Sequence, residues 1–383
     1  MKRLRTLTSS YWSLTVILFV VVLALSFGCA KKEPGEIKIG AILPLTGDAA
    51  LYGQNVKEGI DLAVEEVNRQ GGVSGKQLRV VYEDSQAEPR TGSSAFLKLV
   101  TVDKVPAVIG GVTSSVTLAM APTAEKEKVV ILSPAATAPK ISEAGDFIFR
   151  NWPSDAYEGK VTADYAYGDL GIRKMAVLFV NNDYGKGLVE VMEHEFEDKG
   201  GQLVTGQSFE QKDTDFRTQL AKIKSSKAEA LYIISYPEET INILRQIKEI
   251  RLRMRLLSTS AFQDREILAK AGMTAEGVIY PFPVDPDPKD STVASFQQNF
   301  ERKYNKKPGI VCDTGFDAVK MIVRAVEIAG GFSGIDIKRG LYAIRDFHGA
   351  SGIMSFDSSG DIEKIMRMKT VQNSEFVDIP QER

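Results

Sequence analysis

From residue 37 onward, short apolar runs alternate with longer stretches whose apolar positions recur every three or four residues. The short runs at 37–43, 78–82, 107–109 and 129–132 read as strands. Between the first two, Val56, Ile60, Val64 and Val67 share one face of a helix predicted over 53–70. Gly71 and Gly72 end it, as glycines just past a helix C-terminus do. Further helices are expected near 91–102 and 115–126, so the order is βαβα, which implies a parallel sheet with right-handed crossovers. After Phe147–Arg150 the rhythm restarts. Helices at 155–167, 186–199, 216–225 and 238–249 alternate with strands at 174–180, 203–209, 230–234, 255–258 and 277–280. The architecture recurs although no sequence repeat does. Pro281, Pro283, Pro286 and Pro288 are expected to interrupt regular structure, as a hinge-like crossing between two lobes would. Helices resume at 291–304 and 313–329, and two small terminal strands, 353–356 and 365–372, are joined through Asp357–Gly360.

At 383 residues the chain exceeds what one core usually serves, which agrees with two domains. An apolar fraction of 43% and a net charge of −2 suit a globular protein, and without a basic stripe nucleic-acid binding is set aside. The first residues differ from the rest. Lys2, Arg3 and Arg5 precede an apolar run of about fifteen residues, short of the ~20 needed to span a bilayer. The segment 1–28 therefore reads as a secretory signal. Cys29 after Gly28 resembles a lipoprotein processing site, with Leu25 one place further away than the usual pattern has it. Residues 29–35 then form a polar tether, and the membrane is reached by the lipid anchor only. Cys312 is the other of the two cysteines, so once Cys29 is lipidated no disulfide forms within the chain.

Two strand-to-helix turns carry the candidate chemistry. One presents Ser114 and Ser115 where a helix begins, a place where hydroxyls and free N–H groups attract anions. The other presents Ser133, Ala135, Ala136 and Thr137 between Pro134 and Pro139, with small side chains that let a ligand touch the backbone. Both fall at the carboxyl edge of a parallel sheet, where ligands of such sheets bind. Tyr52, Trp152, Tyr184 and Tyr236 follow strand ends in the same way and suit the walls of a cleft. Catalytic motifs are missing: no nucleophile elbow, phosphate loop, dinucleotide fingerprint or metal-binding cysteine pair is present, and neither His194 nor His348 has a positioned partner. No cofactor is expected.

The runs IKIGAILPLTG (37–47), AVEEVNRQGG (63–72), SPAATAP (133–139), DYG (183–185) and GFDAV (315–319) resemble the leucine/isoleucine/valine-binding proteins of ABC importers. The resemblance implies an α/β fold of the type I periplasmic binding protein kind: two Rossmann-like lobes with parallel sheets, joined by three hinge crossings near Trp152, Phe282 and Gly349. It implies an N-terminal lobe of 36–152 and 283–349 and a C-terminal lobe of 153–282 and 350–383. In the family, positions matching Ser114 and Thr137 grip a ligand carboxylate. Those matching Ala135 (through its carbonyl) and Thr137, with a glutamate of the second lobe, hold its ammonium. Tyr52, Ala136, Tyr184 and Tyr236 match the pocket. Ser260 stands where that glutamate should be, with Asp264 or Asp285 as substitutes. Two ligands remain open: a branched-chain amino acid bound through a relocated carboxylate, or a carboxylic acid lacking the amine. The expected partners are this ligand and ABC permease subunits, with the protein periplasmic or at the bacterial cell surface. The alternative is a sensor of amides or organic acids coupled to a signalling partner.

Overall fold

The computed structural model describes residues 35–47 and 49–380. The signal, Cys29 and nearly all of the tether lie outside the described residues. The first sheet has five strands in the order β2-β1-β3-β4-β5: Gln77–Asp84 (β2), Glu36–Leu43 (β1), Ala107–Gly110 (β3), Val130–Ser133 (β4) and Ile148–Arg150 (β5). The pairings β1–β3, β3–β4 and β4–β5 are parallel. Strands β3 and β4 are buried along their whole length, as strands covered by helices on both faces must be.

The second sheet builds on Lys174–Val180 (β6), Gln202–Phe209 (β7), Ala230–Ile234 (β8), Arg255–Ser258 (β9) and Ile279–Pro283 (β10), whose mutual pairings are parallel. Two antiparallel strands, Met366–Gln372 (β13) and Glu375–Asp378 (β14), extend it beyond β10 to seven strands. The expected break at Pro281 and Pro283 is therefore a strand. Beyond Ile279, which pairs with Leu257 of β9, the strand has β13 as its one neighbour, so a proline without an N–H removes no bond on the far side. The two terminal strands do not meet each other. Gly352–Met354 (β12) forms a hairpin with Phe347–Gly349 (β11), whereas β13 joins the second sheet.

Helix Ala50–Arg69 (α1) packs along helix Cys312–Ala329. They meet so closely that a Cβ at Gly59 would lie 1.9 Å from the Cys312 carbonyl oxygen, which only glycine permits. Cys312 is buried, as expected of a small apolar side chain. From Phe356 to Asp361 the chain lies against β5: Phe356 meets Phe149 edge-on, the Arg150 N–H donates to the Gly360 carbonyl at 3.0 Å, and Asp361 binds Arg150. Helices Arg265–Ala271 and Gly334–Ala343 were not expected. The first is seven residues long, and the second follows Gly330 and Gly331, which obscure its periodicity.

Candidate functional site

Both sheets aim their carboxyl edges at one small cavity. At the end of β3 the chain turns sharply through Gly110 and Gly111, at φ 143° and 81°. This delivers Thr113 as the cap of helix Ser114–Glu127 and Ser114 as its first residue. The Ser114 hydroxyl accepts the N–H groups of Thr137 at 3.2 Å and Ala138 at 3.1 Å, tying the two hydroxyl turns together. Its own O–H remains a donor available to a ligand. Arg150, fully buried, fixes the second turn from behind by donating to the carbonyls of Thr137 at 2.8 Å and Ala138 at 3.0 Å. Its charge is met by a two-pronged pair with Asp361 at 2.6 and 2.7 Å.

The cavity, of about 50 Å³, is lined by Tyr52, Ser114, Ala135, Thr137, Tyr184, Tyr236 and Ser260. Ala136 is the exception among the expected residues: it is buried in the apolar cluster behind the wall, and its N–H donates to the Ser133 hydroxyl at 3.1 Å. Ser115 also turns elsewhere. Its hydroxyl donates to Asp183 at 2.6 Å and accepts the Asp183 N–H at 3.1 Å, bridging the first sheet's helix to the helix Asp183–Glu197 that follows β6. A second bridge runs from the Tyr52 hydroxyl to the Ala261 carbonyl at 3.0 Å. Tyr184 and Tyr236 stack with centroids 5.7 Å apart. The pocket also takes in Val112, Trp152, Ala261, Ile310 and Val311, and of these the sequence pointed to Trp152 alone. Val311 holds φ 58°, a left-handed conformation rare for a β-branched residue, and the apolar run it sits in gives no sign of this.

Behind this wall lie two carboxylates that sequence reasoning missed. Both belong to the first turn of helix Asp155–Gly168 (α2), capped by Ser154. Glu158 is 1% exposed and accepts two bonds from Ser260, from its N–H at 2.9 Å and its hydroxyl at 2.6 Å. Asp155 is fully buried, and neither carboxylate oxygen has a hydrogen-bond partner; the Thr137 hydroxyl lies near without completing one. Burial pushes the Glu158 carboxyl up to about 7, against the Ser260 bonds that favour its ionised form. Burial and then the Glu158 charge push Asp155 well above its ordinary range. The substitutes expected for the missing glutamate are engaged elsewhere. Asp264 caps helix Arg265–Ala271 through the Glu266 N–H at 2.7 Å, and Asp285 pairs with Lys369 at 2.7 Å. The spacing Asp155-x-x-Glu158 straight after a Ser cap was the available signal, but it reads equally as ordinary acidic residues in a first helical turn.

A wider groove of about 750 Å³ runs alongside, from Trp152 and Phe282 to Lys306 and Val311. Of its lysines, Lys306 pairs with Glu58 at 2.9 Å and Lys369 with Asp285 at 2.7 Å, whereas Lys364 donates to the Ser351 carbonyl at 2.7 Å and the Ser351 hydroxyl at 3.0 Å. His194 and His348 are both exposed, away from either.

Two α/β lobes with a small cavity between their sheet edges, hydroxyls on one wall and buried acids behind the other, define a solute-binding protein. The periplasmic binding protein family model matches residues 36–374, and the chain belongs to that family. It is a binding protein of transport and not an enzyme. It is 30% identical over 349 residues to a leucine-, isoleucine-, valine-, threonine- and alanine-binding protein of Pseudomonas aeruginosa, covering 90% of this chain and 92% of that protein. Among solved structures, a leucine-binding protein LivK of Thermotoga maritima superimposes with a TM-score of 0.83 at 30% identity, covering 90% of this chain and 98% of that one. The branched-chain amino acid transporter substrate-binding protein LivJ of Streptococcus pneumoniae, in complex with isoleucine, gives 0.81 at 28% identity, with 90% and 100% covered.

Proposed function

We propose that this chain is the extracytoplasmic substrate-binding lipoprotein of an ABC importer, and that its ligand is a branched-chain or related small amino acid. The observation that carries the ligand class is the unpartnered, buried carboxylate of Asp155 beside Thr137. A carboxylate in such a place costs several kcal/mol unless a cation meets it. The hydroxyls of Ser114 and Thr137 serve the carboxylate of the ligand, the acids behind Ser260 serve its ammonium, and Tyr52, Trp152, Tyr184 and Tyr236 pack its side chain. A carboxylic acid lacking the amine leaves Asp155 as it is. The relatives named for leucine, isoleucine and valine agree with this reading.

The lobe division, 36–152 with 283–349 and 153–282 with 350–383, is proposed with one change. The contacts of Phe356, Gly360 and Asp361 with β5 support a third crossing beyond Asp361 rather than at Gly349. Among the described residues no helix is long and apolar enough to cross a membrane. Lipid on Cys29 is the proposed anchor, and the permease subunits are the proposed partner. The test is calorimetric titration with leucine, isoleucine and valine against 4-methylpentanoate. We expect the amino acids to bind at least a hundredfold tighter than the acid, and equal affinities would refute the amine site.

A further inference from the structure

We propose that Asp155, Glu158 and Ser260 form a proton-linked cation subsite, into which the positive group of the ligand enters by displacing a proton that the two acids hold between them in the empty protein. This rests on the amino-acid reading above. The acids stand three residues apart on the first turn of α2, both buried, and each raises the cost of charge on the other.

The groups facing them from every side supply no free counter-charge. From β5 comes Arg150, whose guanidinium is held in its pair with Asp361. From the start of helix Asp183–Glu197 comes Tyr184, with its hydroxyl donated to Thr259 at 2.9 Å. From β8 comes Tyr232, whose buried hydroxyl makes no hydrogen bond. Tyr52 of α1 faces Glu158 together with Asp264 and Glu239, and Tyr236 faces Asp155 together with Glu239 and Asp183. The surroundings are thus phenols and further acids.

In such a site a pair of carboxylates keeps one proton. Ser260 decides where it sits. Its two donors favour charge on Glu158, which leaves the proton on Asp155, the acid without donors. An ammonium brings three N–H donors and a full charge to both. The proton on Asp155 then leaves for the solvent, and charge balances: one positive group enters and one proton departs.

The experiment is calorimetric titration of leucine near pH 8, where Glu158 is ionised and the pair keeps one proton, in two buffers of different ionisation enthalpy, with affinity followed from pH 6 to 9. We expect about one proton released per leucine, and affinity rising by about tenfold per pH unit before levelling once the pair is ionised. Ser260→Ala should move the levelling point to higher pH, because Glu158 loses a donor to its charged form, a shift that a merely structural serine would not cause. Glu158→Gln should weaken leucine binding and flatten its pH dependence. Leucine binding with equal heats in both buffers and constant affinity overturns the proton linkage alone. No binding of leucine, isoleucine or valine even at pH 8 overturns the amino-acid reading and the linkage with it.

Discussion

At the scale of single residues, the two hydroxyls of the anion wall have unequal duties. The Ser114 oxygen also accepts two buried backbone N–H groups, so Ser114→Ala strands both, at about 1–3 kcal/mol each. Thr137→Ala strands none and removes only a ligand contact. We therefore expect Thr137→Ala to lower ligand affinity by about ten- to a hundredfold with little change in melting temperature, and Ser114→Ala to lower both. Calorimetry paired with thermal melts separates them, and a Ser114→Ala protein that melts like wild type contradicts the structural role. The acids make a second residue-scale prediction. A carboxyl held at about 7 in the folded chain, against 4.5 as its ordinary value, binds its proton more tightly when folded. Its stabilising contribution is full below pH 4.5 and is lost as the pH rises through about 7. The empty protein should thus lose stability across that window, and Glu158→Gln should lessen the loss. Denaturant titrations at several pH values would show it.

At the scale of elements, the two lobes are bridged by direct hydrogen bonds, apart from any ligand. Ser115 with Asp183 is the best formed of them, and it sits one residue from the anion wall. It exists only while the lobes are together, so Ser115→Ala should bias the protein toward opening without touching the pocket. Losing one such bond costs about 0.5–1.5 kcal/mol, hence about two- to tenfold in affinity. The loss should appear mainly as faster ligand release in stopped-flow traces. Unchanged kinetics would mean that the bond is replaced by water at no net cost. Pro281 and Pro283 teach a related lesson about elements. They read as breakers because proline lacks a donor, yet β10 runs through them where a strand has one neighbour in place of two.

At the scale of the whole molecule, ligand can favour closure only by touching both lobes, since equal affinity for both states shifts nothing. The cavity draws its wall from both sheets, so small-angle scattering should show a smaller radius of gyration with saturating leucine than without, and an unchanged radius would count against closure. Strand-helix alternation determined the lobes, the parallel cores and the carboxyl-edge position of the site, because burial imposes a period on each element whatever lies around it. The same local logic located Ser114, Ala135, Thr137 and the tyrosines at strand ends. What the tertiary structure alone decided is which residues meet across long separations. Ser260 and Glu158 lie about a hundred residues apart, and nothing near either records that one completes the other. Ser115 turned away from the cavity through a contact of the same kind, with Asp183 across the cleft, whereas Ala136 is held behind the wall by a local bond to Ser133. The antiparallel strands β13 and β14 entered the second sheet because β10 left an edge free, and an edge is a property of the assembled sheet and of no single segment.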